Sequence, residues 1–421
     1  MRIAFVSYEY PPDTAYGGIA TYVYQAAKML RERGHQVEVF AASPYRAGTE
    51  TENGFLVHRT NVKEQQKFSG PIGQIFAKRH SQVQFDVLEG PEYSADAREA
   101  LRLVPDIPLV IKLHTPSIFL LRLNYSESSV FRKVRLYFRA LSRGLEPAWG
   151  YDPKFEVERL NALKTDEVER LHALEADEVA SPSKALGEKL IEEWGLSGVK
   201  LSHVPYPYIP SDELLKIPVD THTNVVTFLG RLEVRKGVLD LAQAIPLILH
   251  RCPAAKFRFV GSSEPSPKLN RDMREYLEHV LRPHLGSIEF TGHVSSDNIT
   301  DVLANTDVCT FPSLWENFPC VCLEAMAAAR GIVGSNAGGM TEMLNGGEVG
   351  KLVPPRSPKK IAEAVLELLK DPELRFRLGK RARDRLLVEY NADRVSAMQE
   401  RSYIRALLRR RAIGPRPLGG S

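Results

Sequence analysis

The chain has 421 residues, 43% hydrophobic and 26% charged, which excludes a disordered or fibrous protein and leaves room for two or three domains. Its 56 Lys and Arg against 52 Asp and Glu give a formal net charge of +4, with the basic surplus beyond residue 204, too weak a balance for a nucleic-acid partner. Cys252, Cys309, Cys320 and Cys322 form no CxxC pair, so a disulfide framework and a structural zinc site are disfavoured and a reducing compartment fits.

The opening MRIAFVSYEYPP lacks the basic start and long apolar core of a signal peptide, and no apolar run approaches the ~20 residues that span a bilayer. In chain order, residues 2–7 read as a buried strand. A Pro/Gly-rich loop (8–18), a helix (19–33) stopped by Gly34, and a strand (37–41) follow. This β-loop-α-β order begins a parallel sheet, continued by buried-strand candidates at 87–88, 109–113 and 178–180. Residues 158–168 (ERLNALKTDEV) and 169–179 (ERLHALEADEV) match at eight of eleven positions. Eleven residues are close to three helical turns, so the duplication lengthens a helix without turning its faces, and its second copy is expected to end as a strand.

Residues 204–224, with Pro205, Pro207, Pro210 and Pro218, read as a linker. The pattern then restarts with strands at 225–229, 257–260, 288–290, 308–310, 332–334 and 351–353 and a helix at 238–250. Two Rossmann-like α/β halves are the simplest architecture.

Three passages carry polar constellations. Pro11-Pro12-x4-Gly17-Gly18 lies between a strand and a helix, where small residues and free helix amides suit a phosphate or form a plain turn. It is not a GxGxxG fingerprint, and no Walker A motif occurs in the chain. Gly230-Arg231-Leu232-x3-Lys236-Gly237 follows the first strand of the second half. Two cations there suit a diphosphate, or belong to a solvated loop. Glu316-Asn317-Phe318-Pro319-Cys320-Val321-Cys322-Leu323-Glu324 places two carboxylates eight apart around an apolar turn. They could accept from sugar and ribose hydroxyls, or serve as a cap and a surface charge. Ala337-Gly338-Gly339 follows as another strand-loop-helix glycine pair.

Taken together, YEYPP…GGIATYVYQAAKMLRERGHQVEVF, GRLEVRKG, FVG, FTGHV and FPSLWENFPCVCLEAMAAARGIVGSNAGGMTEML resemble the family-4 retaining glycosyltransferases of the GT-B fold, over nearly the whole chain. The resemblance implies two Rossmann-like parallel-sheet domains facing each other across a cleft. It implies an acceptor domain at 1–205, a linker at 206–224 and a donor domain at 225–390. A C-terminal helix at 391–412 would pack back on the first domain, ahead of a disordered tail at 413–421.

The same resemblance implies a nucleotide-diphosphate sugar as donor substrate, no cofactor, and a glycan or glycolipid acceptor. Gly17 and Gly18 would contact the donor phosphate, and Arg231 and Lys236 would hold the diphosphate. Glu316 would face the sugar hydroxyls beside Asn317, Phe318 and Pro319, while Glu324 would bind the ribose. His114, in KLHTP, would sit near the donor sugar, and His293 near the base. Two passages depart from the pattern: Asn317 and Pro319 replace glycines, and Pro205-Tyr206-Pro207-Tyr208-Ile209 replaces a common Pro-Asn-Gly-Val-Asp junction. The chain contains no Asp-x-Asp pair, so a metal-independent mechanism is expected. A non-catalytic sugar-nucleotide-binding module and a GT-B sugar-nucleotide epimerase are the alternatives.

Residues 131–145 (FRKVRLYFRALSRGL) carry five basic and no acidic side chains around one apolar helical face. They suit an anionic membrane surface or an ordinary domain surface. A cytoplasmic enzyme, peripheral on the inner face of the membrane, is the expectation.

Overall fold

The computed structural model describes residues 1–14, 17–125, 153–266, 272–295, 298–414 and 416. They fall into two units: Met1–Ser117, Lys164–Ile209 and Val388–Ser421 in the first, Ile118–Leu163 and Pro210–Leu387 in the second. The basic stretch 131–145 lies outside the described residues.

The first unit is built on strands β1 (Arg2–Ser7), β2 (Gln36–Ser43), β3 (Gly48–Glu52), β4 (Phe55–Asn61), β5 (Val87–Pro91), β6 (Leu109–Lys112), β7 (Glu178–Ser181) and β8 (Leu201–His203). Their order in the sheet is β3-β4-β2-β1-β5-β6-β7-β8. Every pairing is parallel except β3 with β4. Continuous burial explains the strands read from the sequence, since both faces of a parallel sheet are covered and every residue can be apolar.

Three strands escape that reading, for physical reasons. β3 (GTETE) is polar and almost wholly exposed, because it is an edge. β4 buries His58 and Arg59 by pairing them: His58 Nε2 lies 2.8 Å from Glu38 Oε2, and Arg59 Nη2 donates to Glu52 Oε2 at 3.0 Å. The two strands are joined by Asn53-Gly54, both left-handed (φ 49° and 81°), the two-residue hairpin signal. β8 has three half-buried residues and no pattern.

The second unit is a six-stranded, all-parallel sheet of β9 (Val225–Leu229), β10 (Lys256–Val260), β11 (Ile288–Gly292), β12 (Val308–Phe311), β13 (Gly331–Ser335) and β14 (Lys351–Val353), ordered β11-β10-β9-β12-β13-β14. Its core joins Phe228, Phe257 and Phe259 of the sheet to Leu241, Ile245 and Ile248 of helix Val238–Arg251, and to Val365 and Leu368 of helix Pro358–Lys370. In both units the order reverses at the first strand, β1 or β9, which opens a crevice at the strands' carboxyl ends.

The expected boundaries need correction. The described part of Ile118–Leu163 groups with the second unit, and the first unit runs on to Ile209. The linker is partly structured. Tyr206 and Tyr208 are buried, and Ser211 caps a short helix, Asp212–Leu215, by accepting from the Leu214 N–H at 3.2 Å. Helix Ala392–Ile413 lies in the first unit, where Arg405 Nε donates to Glu178 and Arg410 to Asp177. The tail is not wholly loose: Arg416 donates to Asp177 Oδ2 at 2.6 Å and to the Ile107 carbonyl at 2.8 Å.

The eleven-residue duplication takes two conformations. Asp166-Glu167-Val168 is within helix Pro153–Glu175, whereas Glu178-Val179 opens β7. The second copy's Asp177 is captured by the Leu109 N–H at 2.9 Å, and Val179 pairs with Ile111.

Candidate functional site

Adjacent strands β9 and β12 deliver the two principal motifs to one place, the switch point of the second sheet. The loop after β9 carries Arg231 to Gly237, and the loop after β12 carries Ser313 to Pro319. Arg235 accepts the Leu314 N–H at 2.8 Å, tying one loop to the other. Lys236 Nζ donates to Glu316 Oε1, and Ser313 Oγ donates to the same oxygen at 2.8 Å. Arg235, 8% exposed, pairs with the buried Glu233 at 2.8 Å. Arg231 is the accessible cation, 41% exposed along its side chain, with Glu233 at 3.4 Å and Glu264 at 3.9 Å.

Burial pushes the Lys236 ammonium below the ordinary lysine range, opposed by Glu316 and reinforced by Arg235. Burial pushes the Glu316 carboxyl up, but Lys236 and Arg235 outweigh it and hold the group below the usual carboxylate range. The outcome is a buried ion pair with a second cation beside it, suited to an anion flanked by hydroxyl groups.

Glycines make the convergence possible. Gly237 has φ 72°, and a Cβ there would lie 2.0 Å from the Pro312 carbonyl oxygen. Gly338 has φ 71°, and its Cβ would lie 2.0 Å from the Glu316 carbonyl oxygen. That oxygen accepts the Gly339 N–H at 2.8 Å, so the Ala337-Gly338-Gly339 passage braces the Glu316 turn from below.

Asn317, Phe318 and Pro319 are buried, and Pro319 caps helix Cys320–Ala327. The second carboxylate, Glu324, is half-buried one turn into this helix. Burial alone pushes its carboxyl up to about 7, and no hydrogen bond or ion pair reaches it among the described residues. Glu316 and Glu324 therefore differ in kind: one is engaged, the other is an acceptor without a donor. His293 is exposed, just beyond β11.

In the first unit, Gly17 precedes helix Gly18–Glu32 in extended backbone (φ −166°), so a left-handed turn is not the reason for a glycine there. A Cβ on Gly17 would only touch Glu9 Oε2 at 3.6 Å, and one on Gly18 would meet nothing within 4 Å. Within this unit, space rather than conformation is what the two glycines leave. The Ala20 N–H donates to Glu9 Oε2 at 3.4 Å, so an internal carboxylate already attends this helix start.

His114 follows β6 and is 6% exposed. Its N–H donates to both Glu92 carboxylate oxygens at 2.8 Å, and its Nδ1 lies 2.6 Å from the Tyr206 hydroxyl. Burial and then Lys112 push its pKa well below the imidazole range, so the ring is neutral at physiological pH.

The carboxylates of this unit were missed in the sequence. Glu92, Asp96 and Glu169 are buried acceptors of backbone N–H groups from His114, Tyr8, Ser94 and Ser117, and so they order the loops after β1, β5 and β6. Tyr206 was read only as part of an altered junction. Arg235 and Ser313 stood inside quoted motifs, but spacing alone does not reveal which loop side chains turn inward.

Two parallel-sheet α/β units with polar clusters at the strands' carboxyl ends define a GT-B-type fold. Residues 17–207 match the family described as glycosyl transferase 4-like domain, and residues 223–371 match the family described as glycosyl transferases group 1. The chain thus matches glycosyl transferase families over most of its length. It is 26% identical to an uncharacterized glycosyltransferase of Methanocaldococcus jannaschii, over 94% of this chain and 96% of that protein. It is 27% identical to a phosphatidyl-myo-inositol mannosyltransferase of Mycolicibacterium smegmatis, over 96% and 93%. Among solved structures, sucrose-phosphate synthase of Thermosynechococcus elongatus superposes with a TM-score of 0.71 at 20% identity, over 97% of this chain and 99% of that one. Anabaena HepE in complex with UDP-glucose superposes with 0.65 at 18% identity, over 95% and 99%.

Proposed function

We propose that this glycosyltransferase moves a sugar from a nucleotide-diphosphate sugar to an acceptor hydroxyl, with retention at the anomeric carbon and without a metal ion. The observation that carries this reading is the switch-point cluster: Lys236 and Ser313 on Glu316, Arg231 accessible beside them, and Glu324 without a donor. Arg231 and Lys236 suit the diphosphate, Glu316 the sugar hydroxyls and Glu324 the ribose, with Asn317, Phe318 and Pro319 beside the sugar and His293 toward the base. Gly17 and Gly18 leave room for the phosphate, and His114 suits a place near the sugar. The UDP-glucose bound to HepE supports the class of donor.

In the reaction the bond from the anomeric carbon to the diphosphate oxygen breaks, and its electron pair leaves with the nucleoside diphosphate. The acceptor oxygen bonds to the anomeric carbon on the same face, and its proton passes to the departing phosphate. Negative charge grows on that phosphate, where cations already held in the two loops would stabilise it with little reorganisation. The Asn317 side chain and the missing N–H of Pro319, in place of glycines, would change which sugar is accepted.

We take the acceptor to be a glycan or glycolipid and the enzyme to be cytoplasmic, working at the membrane's inner face in cell-surface polysaccharide or glycolipid synthesis. The mannosyltransferase relative, named for a phosphatidyl-inositol, supports a lipid-linked acceptor. No helix among the described residues is long and apolar enough to cross a membrane.

A panel of nucleotide sugars in a thermal-shift assay should reveal one that stabilises the protein. NMR of the product formed from that donor should show the donor's anomeric configuration. Stabilisation by none of the panel would reject the donor class, and an inverted product would reject retention.

A further inference from the structure

We propose that Arg235, held by Glu233, is a positioning residue that sets the charge state of the Lys236–Glu316 pair; this rests on the donor site proposed above. Arg235 is the residue before Lys236, its carbonyl oxygen receives the Leu314 N–H at 2.8 Å, and its own N–H donates to Asn124 Oδ1 at 3.2 Å. Its backbone is thus fixed between the loop of Lys236 and the loop of Glu316. Its guanidinium is buried and meets Glu233 at 2.8 Å, while its Nε is buried with no hydrogen-bond partner among the described residues.

A buried guanidinium with an unsatisfied N–H costs stability, so its presence asks for another reason. The reason lies in its field. Arg235 stabilises the ionised Glu316 and disfavours the protonated Lys236. The two effects have the same sign on the pH axis: both groups lose their protons at lower pH than they would without Arg235. Glu233 opposes Arg235 and makes Lys236 easier to protonate.

Arg231 meets the same Glu233 oxygen as Arg235, at 3.4 Å. The Cys320 thiol, at the head of the next helix, stays neutral because burial pushes it up to about 12. Arg235 and Glu233 therefore form a couple of opposite sign that tunes the pair from its own loop. Arg235 adds to Lys236 in keeping Glu316 ionised to accept from sugar hydroxyls, and Glu233 adds to Glu316 in keeping Lys236 protonated to meet a diphosphate.

The couple gives a signature that a merely structural residue would not. NMR of protein labelled at the lysine ε carbons, with the Lys236 signal assigned through Lys236→Arg, reads the Lys236 midpoint directly. In Arg235→Gln the midpoint should rise by about one pH unit or more. In Glu233→Gln it should fall, and in Arg235→Lys it should return close to the wild-type value. With the donor found in the thermal-shift panel, both limbs of the kcat/KM pH profile should move up in Arg235→Gln. The alkaline limb should move down in Glu233→Gln. A Lys236 midpoint that stays put in both Gln variants, or moves the same way in both, overturns the inference. A moved midpoint with unmoved kinetic limbs overturns the role in transfer. If wild type uses no nucleotide sugar, the donor reading fails, while the NMR titration still decides whether Arg235 and Glu233 govern the pair. If Arg235→Gln does not fold, Glu233→Gln and Arg235→Lys decide the same point.

Discussion

Glu324 is a half-buried carboxyl pushed up to about 7 by burial, with nothing donating to it among the described residues. Ribose hydroxyls would donate to its ionised form and so favour loss of the proton. Nucleoside diphosphate affinity should therefore rise between pH 6 and 8 in wild type, by more than it does in Glu324→Gln. Calorimetric titration of both proteins separates this from the nucleotide's own phosphate ionisation, which is common to the two. Equal pH slopes would remove Glu324 from the ribose. Glu92 makes a different residue-scale case. Burial and then the neighbouring Glu169 push its carboxyl up to about 8. Between about 4.5 and 8 the folded state keeps a proton that the unfolded state has released, so this group's contribution to stability declines as pH rises through that window. Asp96 and Glu169, both raised to about 7 chiefly by burial, act in the same direction. Glu92→Gln should remove this group's share of the pH dependence, so from pH 5.5 to 8.5 its melting temperature should rise relative to that of wild type, each pKa unit being worth about 1.4 kcal/mol at most. An unchanged slope in the variant would show that Glu92 does not hold the proton.

Among the elements, the loop from β9 to helix Val238–Arg251 depends on Gly237 for its left-handed turn and for the Pro312 carbonyl it passes. Gly237→Ala should cost roughly 2–4 kcal/mol, the left-handed alanine together with a steric displacement of the β12 loop. Gly346→Ala is the control, with φ 65° but nothing within 4 Å of its Cβ, and should cost only about 1 kcal/mol. Urea unfolding of both variants measures the difference, and equal losses would mean that the close approach is relaxed at little cost. The β3–β4 hairpin shows how an element stays hidden. Its Asn53-Gly54 dipeptide is a hairpin signal, but its strands are polar because one is an edge and the other buries ion pairs.

At the scale of the whole molecule, the proposed chemistry asks for no divalent cation, because Arg231 and Lys236 supply the positive charge. Transfer activity should survive excess EDTA. Arg231→Ala and Lys236→Ala should each lower turnover by roughly 10²-fold or more, and Arg231→Lys should recover only part of the loss. Activity abolished by EDTA and restored by Mg²⁺ or Mn²⁺ would end the metal-free reading. The basic stretch 131–145 is tested by cosedimentation with anionic vesicles. Wild type should bind at low salt and dissociate at high salt, and replacing Arg132, Lys133 and Arg135 with Gln should abolish binding. Failure of wild type to sediment with vesicles would leave that stretch an ordinary surface.

The sequence by itself determined the class. Buried strands read as apolar runs because parallel strands are covered on both faces, and the motifs after β9 and β12 carry their chemistry in residue identity. Glu316, Glu324, Arg231 and Lys236 stood out as candidates for that reason. Tertiary structure alone decided which of them meet: Lys236 bonds Glu316 only because β9 and β12, eighty residues apart in sequence, are neighbours in the sheet. It also separated two carboxylates that look equivalent on paper, engaging Glu316 and leaving Glu324 without a donor among the described residues. Arg235, Tyr206 and Glu92 were invisible to spacing, because a loop side chain's direction is set by what packs over it. Their burial follows from the crowding of several loops at one end of a sheet, and no local pattern of residues encodes that.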